Sequence, residues 1–201
     1  MQPDRLPVME AFVTLQGEGH HQGKLAFFIR LAGCDVGCSW CDVKESWEIK
    51  EEQWRDVDDI VREAIGSAAP IVVITGGEAL MHNLTGLTKK LRNAGLRVHL
   101  ETSGAYALTG EYDWICLSPK KFKKALDEFY ALADEIKIIV VNAHDLTWAK
   151  VEAAKTGPDC LKFLQAEWEK RDESYALIYS YIVENPDWRI SIQSHKYLGL
   201  P

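Results

Sequence analysis

Cys34, Cys38 and Cys41 stand within eight positions of one another in CDVGCSWC, a Cys-x3-Cys-x2-Cys spacing. Thiolates are the metal-ligating form of cysteine, and three so close together point to a soft metal centre. Structural zinc and iron–sulfur sites are normally closed by four protein ligands. Here the local count stops at three. Cys116 and Cys160 sit in the apolar runs WICLS and DCLKF, where the ordinary role of cysteine is a small buried hydrophobe. His20 and His21 are nearer candidates, although their spacing does not compel ligation. A zinc knuckle with a distant fourth ligand and a cluster with an open corner both remain possible at this point. Five cysteines is an odd number for a disulfide framework, so a reducing, cytoplasmic setting is expected.

The elements that must carry these thiols follow from periodicity. PIVVIT (70–75), AFFIRLA (26–32), LRVHLET, DWICLS, EIKIIV, CLKFLQ and WRISIQ read as strands, with VMEAFVTLQ as a further one near the N-terminus. Helical segments alternate with them: DVDDIVREAIG, LTGLTKKLRNAG, FKKALDEFYALA, AHDLTWAKVEAAK and ESYALIYSYIVEN. This βα alternation predicts a parallel sheet. Unusual polar groups lie where strands stop, and the carboxyl ends of parallel strands share one rim. A full eightfold barrel takes about 250 residues, so 201 residues predict an α/β fold of the partial (β/α) barrel type. About six core parallel strands and reduced helices are expected, in a single domain over 1–201.

Composition sets further bounds. Hydrophobic residues at 47% and charged residues at 26% are ordinary globular values. The formal charge of -7, without a basic stripe, disfavours a nucleic-acid partner. No apolar run approaches a membrane span, and the N-terminus lacks a signal-peptide pattern.

The cysteine spacing resembles the radical S-adenosylmethionine (SAM) superfamily. That resemblance implies a [4Fe-4S] cluster on Cys34, Cys38 and Cys41, with the amino and carboxylate groups of SAM on the open iron. TGGE at 75–78 resembles the stretch that binds the methionine moiety, with Gly76 and Gly77 allowing close approach and Glu78 facing the ammonium group. A turn after a strand would account for the glycines equally well.

TLQGEG (14–19), FFIRLAGC with Arg30, ETSG (101–104), SPK (118–120) and the terminal QSHKYLGLP narrow the likeness. Over residues 8–201 the chain resembles the 7-carboxy-7-deazaguanine synthase family. The resemblance implies a small homodimeric carbon–nitrogen lyase of queuosine and 7-deazapurine biosynthesis. Such an enzyme converts 6-carboxy-5,6,7,8-tetrahydropterin to 7-carboxy-7-deazaguanine with loss of ammonia, fed by an electron donor such as flavodoxin. By the same resemblance Leu15, Gln16, Gly17, Glu18, Arg30, Thr75, His195 and the carboxylate of Pro201 bind substrate. Trp40, Gly77, Glu78, Glu101, Ser103, Ser118, Pro119, Lys120 and Gln165 form the SAM pocket. No catalytic proton-transfer residue is assigned. Taken without the family, Lys120 belongs to a charged run whose ordinary reading is an exposed helix start.

One departure bears on chemistry. The family places Thr or Ser after Cys-Asp, where its hydroxyl helps bind Mg2+; here Val43 stands there. A hard cation takes oxygen donors, so Lys44 is expected to supply the positive charge instead. Ala79 and Ala166 replace usual prolines and remove no ligand. The rival readings are another radical SAM enzyme, such as a glycyl-radical activase, and a non-catalytic zinc-binding module.

Overall fold

The computed structural model describes residues 4–201. Nine strands form one open sheet among them: β1 (Arg5–Leu15), β2 (Leu25–Leu31), β3 (Trp54–Asp56), β4 (Ile71–Gly76), β5 (Arg97–Thr102), β6 (Trp114–Leu117), β7 (Glu135–Val140), β8 (Leu161–Ala166) and β9 (Trp188–Ser191). Their spatial order is β3-β1-β2-β4-β5-β6-β7-β8-β9. From β2 to β9 every neighbouring pair is parallel, which makes seven parallel strands, one more than expected. β1 and β3 extend this sheet antiparallel at one margin. The short β3 carries no period-two pattern, which is why the sequence does not announce it.

Helices α1 (Val57–Gly66), α2 (Thr85–Asn93), α3 (Asp127–Leu132), α4 (Ala143–Ala153) and α5 (Arg171–Glu184) connect the strands, and α6 (Ser194–Leu198) follows β9. No helix lies between β5 and β6. The helix expected over FKKALDEFYALA begins only at Asp127. The lysines around its expected start are used singly instead: Lys120 reaches Ser118, Lys121 reaches Asp145 and Lys123 reaches Asp35.

Because side chains alternate across a strand, the sheet has two different faces. Phe27, Ile29 and Leu31 of β2, Val72 and Ile74 of β4, Val98 and Leu100 of β5, and Ile136 and Ile138 of β7 join the core beneath the helices. The intervening residues point to the concave face. One part of that face is apolar, built from Ala26, Phe28, Ile71 and Val73 with Phe12 stacked on Phe28. The rest is polar, and Glu135 and Lys137 of β7 are both buried there.

The β1–β2 connection lies across the sheet's opening. Gly19 N donates to Ser191 Oγ of β9 (3.0 Å) and Ser194 N donates to Gly17 O (3.0 Å). At the amino ends of the strands His20 stacks on Trp114, and His21 packs on His99. Burial lowers His21 to about 4 and His99 to about 3, so both imidazoles are neutral at pH 7.

The loop after β2 packs backbone to backbone against the end of β4. A Cβ on Gly76 would meet Leu31 O at 2.4 Å, and one on Gly77 would meet Gly33 O at 2.4 Å. Only glycine permits these approaches. Gly76→Ala is expected to cost about 1–3 kcal/mol through overpacking against main chain that cannot give way, read as a lowered urea midpoint at unchanged slope.

Candidate functional site

A cavity of about 610 Å³ opens on the concave face. Cys34, Cys38 and Cys41 line it from the loop after β2, and all three thiols are free and partly exposed. Gly33 N donates to Ser46 O (2.7 Å), Cys34 N to Trp47 O (3.2 Å) and Glu78 N to Gly33 O (2.8 Å). His82 Nε2 meets Ala32 O at 2.7 Å. On the outer side Trp40 packs on Phe122, while Asp35 is gripped by Tyr106 and Lys123. Burial pushes the Cys34 and Cys38 thiols up, so holding them as thiolates calls for positive charge beside them. An iron–sulfur core meets that demand, and the donor set of three thiols on one cavity wall fits such a group. His20 and His21, far down the strands against Trp114 and His99, are not fourth ligands.

Glu78 is 2% exposed. Its Oε1 accepts from Thr102 Oγ1 (2.6 Å) and Leu80 N (3.1 Å), and its Oε2 from Ser103 N (2.8 Å) and Ser103 Oγ (2.5 Å). Four donors satisfy this carboxylate within the protein, and it ties the end of β4 to the end of β5. The two glycines before it pack against the main chain of Leu31 and Gly33, and Gly76, Gly77 and Glu78 all line the cavity. Ser103, Ser118, Lys120 and Gln165 line the cavity nearby. Lys120 Nζ donates to Ser118 O (2.5 Å) and Oγ (2.7 Å), and burial lowers its pKa. Gln165 Oε1 accepts from Ser191 Oγ (2.7 Å). Pro119 is buried and does not line the cavity.

The other half is built by the N-terminal turn and the C-terminal segment. Leu15, Gln16, Gly17, Glu18, Arg30, Thr75, His195 and Pro201 all line it. Gly17 is forced by His195, whose Nδ1 would lie 1.9 Å from an added Cβ. Arg30 Nε donates to Glu10 Oε1 (2.6 Å), and Thr75 stands beside Arg30 in the parallel register. Gln16 Nε2 donates to Glu101 Oε1 (3.0 Å), and Gln193 Nε2 to Glu18 Oε1 (2.9 Å). Between these carboxylates lies Lys137, bonded to Glu18 Oε2 and 3.5 Å from Glu101 Oε2. Sequence reasoning missed Lys137. Its signal was the polar alternation of Glu135 and Lys137 in EIKIIV.

Val43 lines the cavity with no side-chain oxygen, its carbonyl accepts from Ser46 N and Oγ, and Asp42 beside it is engaged by Lys196 (2.6 Å). The residues present therefore do not fit a side-chain Mg2+ ligand at position 43. Lys44 is exposed and does not line the cavity; the cation on this rim is Lys196, over the Trp168 ring. The peptide after Val43 turns into a short 3₁₀ segment that carries Lys44 outward.

Glu78→Gln would place an amide NH2 against donors that now face carboxylate oxygen. About 1–3 kcal/mol of stability should be lost, the cost of unsatisfied buried donors, measured as a lower denaturant midpoint.

A radical SAM superfamily profile matches residues 28–122. The chain is 50% identical over 198 residues to the 7-carboxy-7-deazaguanine synthase of Flavobacterium psychrophilum, covering 98% of this chain and 94% of that protein. It is 50% identical over 194 residues to the synthase of Synechocystis, covering 96% and 93% respectively. The crystal structure of QueE from Escherichia coli superposes with a TM-score of 0.82 at 33% identity, covering 94% of both chains. On this likeness, nearly end to end, the chain belongs to the 7-carboxy-7-deazaguanine synthase family.

Proposed function

We propose that this chain is a carbon–nitrogen lyase that converts 6-carboxy-5,6,7,8-tetrahydropterin to 7-carboxy-7-deazaguanine with release of ammonia, using a [4Fe-4S] cluster and SAM. The observation that carries the reading is that one cavity gathers the three thiols, the polar strand ends and both terminal segments. Membership of the family supports the activity. When bound, the cluster and SAM supply radical chemistry by one-electron cleavage of the sulfonium bond.

The protein's own groups do the positioning. Cys34, Cys38 and Cys41 would hold the cluster, with Trp40 beside it. Glu78 fixes Ser103 through two hydrogen bonds, so that Ser103, Ser118, Lys120, Glu101 and Gln165 present a preset polar wall to SAM. Glu18 and Gln16 would accept from and donate to the pterin edge. Arg30 keeps its two terminal nitrogens without a protein partner among the described residues, a fork suited to the substrate carboxylate. Thr75 stands beside it in the parallel register, and His195 and Pro201 line the same cavity. No step is assigned to Mg2+.

A homodimer and an external donor such as flavodoxin complete the proposal, supported by the family resemblance. So does a cytoplasmic setting, where thiols stay reduced. Among the described residues no helix is long and apolar enough to cross a membrane.

Anaerobically reconstituted protein should carry about four iron and four sulfide per chain and, with reductant and SAM, should turn the carboxy-tetrahydropterin into the deazaguanine and ammonia. Colourless, zinc-loaded protein without product would overturn the proposal.

A further inference from the structure

We propose that Lys137 is a positioning residue which holds the Glu18 and Glu101 carboxylates in place as acceptors in the cavity wall, and that this makes the pocket selective for a ligand edge rich in N–H donors. The inference deepens the proposed function and rests on its assignment of a pterin substrate.

The geometry is a closed ladder. Gln16 Nε2 binds Glu101 Oε1, Lys137 Nζ lies between Glu101 Oε2 and Glu18 Oε2, and Gln193 Nε2 binds Glu18 Oε1. The Lys137 side chain is 5% exposed and the Glu18 side chain 15%. Lys137 nonetheless borders the cavity, in front of Ile139 on the same face of β7. Each carboxylate oxygen of Glu18 takes one donor from the protein, which leaves a lone pair for a ligand. A 2-amino-4-oxo pyrimidine edge offers two adjacent N–H groups, the match for such a carboxylate.

The cation is needed because carboxylates crowd this wall. Glu18 and Glu101 face each other across Lys137, and Glu135 and the Cys116 thiol line a small void beside both carboxylates. The groups facing Glu18 are Lys137 from β7, Gln193 and His195 from the C-terminal segment, Glu101 from β5 and the Tyr175 hydroxyl from α5. Burial would raise the Glu18 carboxyl, but the Lys137 charge and hydrogen bond, then Gln193, outweigh it and hold it at about 2. Without the ammonium, burial is left to push the Glu18 carboxyl up. Protonated, it would present an O–H where the ligand presents N–H.

The sign of the pH effect follows. Glu18 is ionised at every pH above its depressed value, so the wild-type acid limb of kcat/KM owes nothing to it near neutrality. In Lys137→Met the carboxyl titrates upward, and kcat/KM should fall as pH drops through the raised value.

The test uses anaerobic holoenzyme and 6-carboxy-5,6,7,8-tetrahydropterin. Lys137→Met should raise KM about ten- to a hundredfold, the size of one charge-assisted hydrogen bond, and shift the acid limb to higher pH. Cluster content, read as iron and sulfide per chain, should hold. Lys137→Arg should recover most of the KM. Since Lys137→Met leaves buried charge uncompensated and can fail to fold, Lys137→Met/Glu18→Gln provides the second arm: it should regain thermal stability yet keep the raised KM. A double variant that regains both shows a purely structural lysine and overturns the inference, as does Lys137→Met with a KM within twofold of wild type. Wild type that neither binds nor turns over the pterin overturns the substrate assignment, and this inference falls with it.

Discussion

An open parallel sheet with helices on one face must satisfy whatever polar groups its other face carries. That constraint governs this molecule. The convex face buries Val, Ile and Leu under helices in the usual way, whereas the concave face carries His99, Glu101, Glu135, Lys137 and Gln165, all but Glu101 fully buried. Unpaired, a single such charge would cost several kcal/mol. The turn after β1 meets the demand: its Gln16 and Glu18 reach Glu101 and Lys137, and its His20 N donates to Glu135 Oε2 (2.9 Å). The same segment therefore closes the sheet and lines the cavity.

Two buried carboxylates show two ways of keeping an acid in such a place. Glu78 is surrounded by neutral donors, two of them main-chain N–H groups, and its lone pairs are spent on the fold. Glu18 is held by a cation and one amide, with capacity left over. The first geometry makes a brace and the second makes a recognition surface. Residue type alone does not separate them, since both are Glu beside glycines at the end of a strand. What separates them is which donors the neighbouring strands deliver.

This bounds what the letters could tell. The strands were legible because β-branched runs such as IVVIT and KIIV have no other good conformation. The cysteine loop was legible because three thiols at that spacing have few uses. The convergence of strand-end motifs followed from parallel topology, and the cavity does gather Thr75, Ser103, Ser118 and Gln165. Lys137 was not legible, because a lysine inside an apolar strand ordinarily marks an edge, and its partners lie 36 and 119 residues away. The role of Gly17 was likewise hidden: its constraint is His195, at the far end of the chain. Lys44 misled for a local reason, since sequence adjacency to Cys41 says nothing of direction once the backbone enters a 3₁₀ turn.

The C-terminal segment links the two halves of the cavity. Gln193 donates to Glu18 on one side and reaches Asp42, next to the last cluster cysteine, on the other (3.3 Å). Lys196 strengthens the second contact, and Ser194 binds the carbonyl of Gly17 through both N and Oγ. A five-residue helix has little stability of its own, so these contacts decide where α6 sits. Displacing the thiol loop would therefore release Gln193 and loosen Glu18, and displacing the N-terminal turn would do the same to Asp42. Val43, whose side chain cannot bind a hard cation, follows Asp42 at this bridge, and the charge on Asp42 is met by Lys196, from the other end of the chain. Positive charge at this rim is thus tied to the ordering of α6, which a metal held by the thiol loop alone would not require.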